Sequence, residues 1–548
     1  MNQKVNILLI LIVIIGGLFR LYKLNSYPPS LNWDEISHSY TAYSLSETGK
    51  DQWNQSWPIF NFRGYGDYPT TLNVYLTLPL VKFFGLNDWT TRLPTALLGW
   101  TAVPLSFFLA QLLFKNTTIS LLTALFMALS PWSLFPSRAV FQSTVAQSFL
   151  IFGLTLILQS FKRSRLIIPG FLLLAISAYA YHNTRIIVPI LLFGTLIIFR
   201  KQFINSFKSN LVPLFTAGTV FLLLIIPQLI NLAQPESRAR SQWVYILNDA
   251  AINKIETDRN SSTLSPQLAR LAHNRVTYMF TGVTNNFLNF LNPRLLFFEG
   301  TAHHQFNLPN HGILFSVWLP FFYLGIIYLL RNIKKPSFQF IIFWFVIGLI
   351  PSVITSGDFQ IIRAMSILPL PHILVALGIY WCSRRFPKNK TTYFYGLIIL
   401  LTLIQFGIFW SRYTTSYPRD YSSAWQYGYS GVIDSLKIYY PDYSNIYFTK
   451  KYGEPHQFIL YHWPWSPSAY QTDPSLIWDY HAYWYWVDAF DKFRFVNDWE
   501  ILNTPIPDNT LLVTSPGNYP SQNAKLIQTV NFLNGQPAFD LVSYESEN

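Results

Sequence analysis

Apolar runs of bilayer-crossing length recur from Val5 to Trp410, and this recurrence limits the possible folds of the chain more than any other feature. A crossing helix needs about 20 mostly apolar residues, and shorter ones occur. By that measure eleven spans are expected: 5–24, 93–114, 119–135, 139–159, 166–181, 186–199, 211–230, 313–330, 338–353, 365–381 and 393–410. Only 12% of the 548 residues are charged, against roughly 25% in a typical soluble domain. The net charge of +13 does not mark a nucleic-acid partner, because Lys and Arg sit in short clusters between the apolar runs. The single cysteine, Cys382, rules out an internal disulfide, and no CxxC or zinc pattern is present. Lys4 and the run behind it have no small-residue cleavage site before Pro28, so they read as a retained first span.

The basic clusters orient the spans. With the N-terminus inside, the inner side collects fifteen basic residues: Lys4, Lys115, Lys162, Arg163, Arg165, Arg200, Lys201, Lys208, Arg331, Lys334, Lys335, Arg384, Arg385, Lys388 and Lys390. Each short outer loop carries one, namely Arg138, Arg185 or Arg363. The segment 71–85, with Asn73, Pro79 and Lys82, would invert everything after it if it crossed. It is therefore expected to lie along the outer face as a partly embedded amphipathic helix. The expected location is the plasma or inner membrane, multi-pass, with the N-terminus cytoplasmic and the C-terminus outside.

On that outer face, residues 27–43 read YPPSLNWDEISHSYTAY. Pro28 and Pro29 stop the first span, and Asp34 and Glu35 then stand side by side at the start of a helix. Both also fit an ordinary helix start, as an N-cap and a first-turn acid favoured by the dipole. His38 shares a helix face with Asp34, which suits a local hydrogen bond better than half a metal site. Asp67 lies in a turn-forming stretch, GYGDYP. The remaining outer polar residues include Arg63, Gln142, His182, His303 and His304. His303 and His304 are adjacent and do not converge readily on one ion, so no cofactor is assigned and a divalent cation is left open. The outer loops also hold Arg238, Arg240 and Asp358.

Carboxylates and lone arginines on one face suit a reaction with an anionic, lipid-borne leaving group. Arg matches phosphate oxygens through its planar fork, and a carboxylate can take a proton from an attacking hydroxyl. If the donor is a sugar on a lipid phosphate, the leaving phosphate needs stabilising.

From Ser411 onward the chain is soluble in character. Residues 445–449 and 510–515 read as strands, 423–439 as a helix, and 526–544 as a hairpin turning at Asn534-Gly535. A small extracytoplasmic α/β domain over 411–548 is expected, following a transmembrane catalytic domain over 1–410. The Tyr- and Trp-dense stretch 417–486 can stack on sugars or pack at the membrane interface, where such residues are enriched.

The chain resembles the GT-C glycosyltransferases of the protein O-mannosyltransferase and lipid A aminoarabinose transferase kind. The resemblance runs over about residues 5–410. It rests on Trp33-Asp34-Glu35 after the first span, GDYPTTLNVYLTLPLVKFFGLNDWTTRLPTALLG at 66–99, ALSPWSLFPSRAVFQ at 128–142, AYAYHNTRIIVPILL at 178–192 and IIRAMSILPLPHILVALG at 361–378. The second of these looks like the family's jaw helix. Relatives often carry an acid where Gln142 stands, and the aminoarabinose type carries a lysine where Tyr68 precedes Pro69.

The resemblance implies an inverting hexosyl- or pentosyltransferase. It would use a polyprenyl-phosphate sugar and a protein, lipid or glycan acceptor, within the bilayer and without nucleic acid. Asp34 looks like the catalytic base and Glu35 its neighbour in the acidic pair. Arg63, Asp67, Tyr68, Arg138, Gln142, His182, Arg185, His303, His304 and Arg363 are the substrate-binding candidates. A lipid-glycan flippase predicts internal repeats and charges inside the spans, which the sequence lacks. An oligosaccharide ligase or polymerase differs only in its acceptor. An intramembrane protease lacks its HExxH motif and its intramembrane Asp pair.

Overall fold

The computed structural model describes residues 3–235, 244–357 and 359–545, so Arg238, Arg240 and Asp358 lie outside it. Each of the eleven expected segments contains a helix. Among the described residues, six helices are long and apolar enough to cross a membrane unaided, or eight if each of two bent pairs forms one span. Shorter apolar helices, including Ser164–Ala180, Ser316–Arg331 and Leu370–Ser383, occupy three further expected positions. The chain is a multi-pass membrane protein by this measure.

The described chain divides into two compact units. One comprises 1–22, 95–137 and 141–410; the other comprises 23–94, 138–140 and 411–548.

In the first unit, the expected span 119–135 is broken. Its helix Thr117–Leu129 stops at Ser130-Pro131 and restarts at a bend of 61°. The broken ladder leaves carbonyls without helical partners. The fully buried Arg20 meets them, donating to Ala128 O at 3.1 Å, Met127 O at 3.1 Å and Ser133 Oγ at 2.8 Å.

In the second unit, seven strands form one sheet: β1 (Asn445–Thr449), β2 (Ile477–His481), β3 (Trp484–Phe490), β4 (Phe493–Val496), β5 (Thr510–Thr514), β6 (Ala524–Asn531) and β7 (Pro537–Tyr544). Their order is β2-β3-β4-β1-β5-β7-β6. β1 runs parallel to β4 and β5, and every other pairing is antiparallel. β1 and β5 supply the expected strands, and β6–β7 is the expected hairpin, with Gly535 at φ +83°. The expected helix 423–439 is shorter, Tyr429–Tyr439, behind a single 3-10 turn at Ser423–Trp425. β2 and the start of β3 lie in the stretch 417–486, where only the aromatic content was read, and β4 follows it unanticipated.

The helix Trp33–Thr48 belongs to this unit, and its Ile36 and Tyr40, with Leu31 just ahead of it, are buried in a core with Val432, Phe448, Phe458 and Phe493. The segment expected along the outer face forms the helix Leu72–Phe84. Its 13 residues rise only about 20 Å at 1.5 Å each, short of a hydrocarbon core about 30 Å thick. It leaves Phe83 and Phe84 exposed beside Lys82.

Candidate functional site

The helix that carries Asp34 and Glu35 begins with a capping box. Asn32 is its N-cap, and Asn32 Oδ1 accepts from Glu35 N–H at 3.0 Å. Glu35 Oε2 in turn accepts from Asn32 N–H at 3.1 Å. This arrangement satisfies two amides that a helix start otherwise leaves open.

Glu35 and Arg92 form a buried ion pair. Arg92 Nε donates to Glu35 Oε1 at 2.9 Å and Nη2 to Oε2 at 3.2 Å, with the side chains 1% and 0% exposed. Val140 N–H also donates to Glu35 Oε1, at 3.1 Å. Arg92 sends its other donors to carbonyls of the linker behind the first span: Leu24 O at 3.1 Å, Pro28 O at 2.8 Å and Ser30 O at 2.5 Å. All five guanidinium N–H groups are thus engaged, and the plane lies 5.9 Å from the Trp425 ring. A charge taken out of water is tolerated only when paired and hydrogen-bonded, and this arrangement meets both conditions.

Asp34 sits one residue earlier and is exposed. The two carboxylates of the acidic pair therefore stand in opposite surroundings.

Trp33 is held from several sides. Its N–H donates to Gln426 Oε1 at 2.9 Å, and its carbonyl accepts from Tyr65 Oη at 3.0 Å. Its ring lies 6.1 Å from Trp484 and 6.3 Å from Tyr65. Gly453, at φ +112°, leaves the space against this ring, since a Cβ there would come within 2.3 Å of Trp33 Cε3. Beneath lies Glu454, which accepts from Trp484 Nε1 and faces His456 Nδ1 at 3.4 Å. Burial pushes the Glu454 carboxyl up to about 7, and burial lowers His456 to about 3. Sequence reasoning missed this cluster. His38, read as a partner for Asp34, is buried edge-on against Phe62, and burial lowers it to about 3.

The other candidates fall into separate groups. In the second unit, Arg63 lies between three rings, 5.1 Å from Trp53, 5.1 Å from Trp478 and 4.6 Å from Tyr485. Tyr68 Oη is 2.7 Å from Tyr485 Oη, and Asp67 O closes a turn by accepting from Gly64 N–H at 2.9 Å. Arg138 is fully buried, donating to Tyr413 Oη at 3.2 Å and Tyr27 O at 3.0 Å.

In the first unit, Gln142 begins the helix Gln142–Ser160. Arg185 is buried at the start of Thr184–Ile198 and lies 3.4 Å from Asn231 Oδ1. His182 and Arg363 line a mainly apolar cavity of about 200 Å³ with Ile186, Ile190, Ile347 and Ile350. His303 and His304 are exposed, and the His303 ring stacks on Phe306 at 3.9 Å. Among the described residues, no group of three or more His, Cys, Asp or Glu could hold a metal ion.

Apolar helices in this number, joined to a C-terminal sheet domain, define a multi-pass membrane protein with an extramembrane sheet. In particular, the fold is shared with ArnT from Cupriavidus metallidurans. The apo state of that protein matches with a TM-score of 0.54 and 10% identity, over 98% of this chain and 97% of that one. ArnT bound to undecaprenyl phosphate gives 0.53 and 11%, over 98% and 99%. The apo oligosaccharyltransferase of Archaeoglobus fulgidus gives 0.49 and 12%, over 94% of this chain and 70% of that one. No protein-family model and no curated protein matches the chain.

Proposed function

We propose that the chain is an inverting glycosyltransferase that moves a sugar from a polyprenyl-phosphate donor to an acceptor hydroxyl on the outer face of the membrane. The observation that carries this reading is the division of the acidic pair: Glu35 is consumed by Arg92, and Asp34 is left exposed at the head of a rigidly capped helix. In this reading Asp34 is the general base and Glu35 positions it. The Asp34 carboxylate takes the acceptor proton as the acceptor oxygen attacks the anomeric carbon. The bond from that carbon to the phosphate oxygen breaks on the opposite side, its electron pair leaves with the lipid phosphate, and the anomeric centre inverts.

The cavity beside His182 and Arg363 suits the donor lipid. Its isoleucine walls match an isoprenoid tail, and a guanidinium matches a phosphate. Undecaprenyl phosphate is bound by ArnT, whose fold this chain shares, and the extension to this chain is an analogy of fold. The reading takes eleven crossings, helix 72–84 along the outer face, residues 1–410 as the catalytic membrane domain, and residues 411–548 outside the cell.

The test is turnover by purified protein of labelled polyprenyl-phosphate sugars. Free lipid phosphate should be released, and Asp34→Asn should reduce that release by about 10²-fold or more. Release at the parent rate by Asp34→Asn would remove the proposed base.

A further inference from the structure

The first unit contains a second cavity, of about 510 Å³, with a different lining. It is formed by the helices Asp249–Asn260 and Arg275–Asn289 together with Ser356 and Gly357. Its chemistry comes from Lys254, Asp258, His273, Tyr278, Thr281 and Asn285.

The helix Arg275–Asn289 buries no residue and carries its polar and apolar side chains on different faces. Tyr278, Thr281, Gly282 and Asn285 form one stripe at helical spacing, and this stripe lines the cavity. Val276 and Phe280, on another face, are 71% and 72% exposed, and Leu271 on the preceding helix Pro266–Ala272 is 70% exposed. Arg270 and Arg275 flank these apolar residues. Apolar side chains turned outward beside arginines are the pattern of a helix lying in the lipid interface. The cavity wall mixes apolar surface with these polar side chains, and contents with both polar and apolar faces match it better than acyl chains, which would strand the polar groups.

The lining narrows the ligand. One lysine, one carboxylate, an imidazole, hydroxyls and three amides provide donors and acceptors with little net charge, and Tyr278 supplies an aromatic ring. Ring face, hydroxyl, amide and carboxylate together match a polyhydroxylated ring, with apolar C–H on one side and hydroxyls at its edge. Gly282 keeps the wall thin where Ile246 approaches, since a Cβ there would come within 2.4 Å of Ile246 Cδ1.

We infer that the cavity between helices Asp249–Asn260 and Arg275–Asn289 is a saccharide-binding site at the level of the membrane interface. It goes beyond the glycosyl-transfer reading, since it stands on the geometry of the first unit alone and does not depend on the role of Asp34.

The ligand can be a free glycan or the sugar headgroup of a membrane lipid, and two arms separate these sources. Full-length protein in phosphatidylglycerol–phosphatidylcholine nanodiscs is titrated with mannotriose by saturation-transfer NMR. In parallel, nanodiscs carrying a photoreactive monohexosyl diacylglycerol are irradiated and the adducts mapped by peptide mass spectrometry. A site for free glycan gives saturation transfer from mannotriose that Tyr278→Ala and Asp258→Asn each weaken by roughly tenfold, the loss of one good polar contact or stacked ring. A headgroup site gives adducts within 249–289 that the same variants reduce similarly. Asp34→Asn leaves both signals unchanged, so loss of turnover and loss of this site are read separately. Absence of saturation transfer together with adducts confined to other segments overturns the inference, as does signal in either arm that both variants leave intact.

Discussion

Glu35→Ala isolates the structural half of the acidic pair. The substitution deletes the acceptor of two N–H groups from Arg92 and of the Val140 and Asn32 amides. Arg92 then keeps three carbonyl partners and only the weaker attraction of Asp88, which makes no hydrogen bond to it, in a place where its side chain has no exposure. Breaking a buried pair from one side costs about 3–5 kcal/mol, because the remaining charge is stranded. Losing the Glu35 half of the capping box, its bond from the Asn32 amide, adds about 1 kcal/mol at the helix start, while Asn32 still caps it. Asp34→Asn, by contrast, changes an exposed side chain next door and should stay within about 0.5 kcal/mol of the parent.

The assay is the temperature at which half of the detergent-solubilised protein leaves the monodisperse chromatographic peak. Glu35→Ala should fall far below the parent and Asp34→Asn should overlay it, while only Asp34→Asn keeps a folded protein that has lost lipid-phosphate release. The double variant Glu35→Leu/Arg92→Leu should recover part of the loss, since the stranded charge goes but the carbonyls of Leu24, Pro28 and Ser30 lose their donor. A Glu35→Ala midpoint equal to the parent's would refute the reasoning, because it would mean that the pair carries no weight in the fold.

Acid should unfold the second unit through two buried histidines and the half-buried His462. His38, His456 and His462 titrate at about 3, 3 and 4 when folded and near 6.5 when unfolded, so the unfolded chain binds more protons and stability falls as pH drops below 6.5. Glu454 opposes this, since its raised value of about 7 makes the folded form hold a proton that the unfolded form releases above about 4.5, and it costs stability as pH rises. The four groups together should give a slope of about 2–3 kcal/mol per pH unit near pH 5, steeper in Glu454→Gln, measured by the pH dependence of the thermal midpoint. Arg63→Ala should destabilise the second unit by about 1–3 kcal/mol, the sum expected for a guanidinium held against three rings, and unchanged thermal stability would discount the cage. In a Cys382→Ser background, Lys162→Cys should resist a membrane-impermeant maleimide in intact cells and His304→Cys should react; the reverse pattern would invert the sidedness.

How much of this was readable in the chain depends on whether the signal was local. The long apolar helices could be placed because about 20 apolar residues declare themselves without tertiary context. The β6–β7 hairpin announced itself through Asn534-Gly535, a pair that favours positive φ. The β2–β3 hairpin did not. Its turn is Ala482-Tyr483, at φ +52° and +62°, residues that give no turn signal, and β2 is exposed along its whole length with no buried face to impose alternation. The break at Ser130-Pro131 was passed over because its carbonyls are satisfied by Arg20, more than a hundred residues away.

The acidic pair shows where local reading should have gone further. Adjacent residues on a helix do not face the same way, so Asp34 and Glu35 could never have formed one two-carboxylate face. Asn32-Trp33-Asp34-Glu35 already has the spacing of a capping box, with the N-cap and the acid three residues apart. That spacing assigns Glu35 to the backbone and turns it toward the chain, and Asp34 is the exposed acid of the two. Arg92 as the counter-charge was beyond local reading, because 57 residues separate it from Glu35 and it sits at the foot of an apolar helix that resembles a topology anchor. The buried pair and the exposed acid are thus one arrangement. A guanidinium that binds the linker carbonyls and Glu35 together fixes the start of the helix, and the fixed start holds Asp34 in one place.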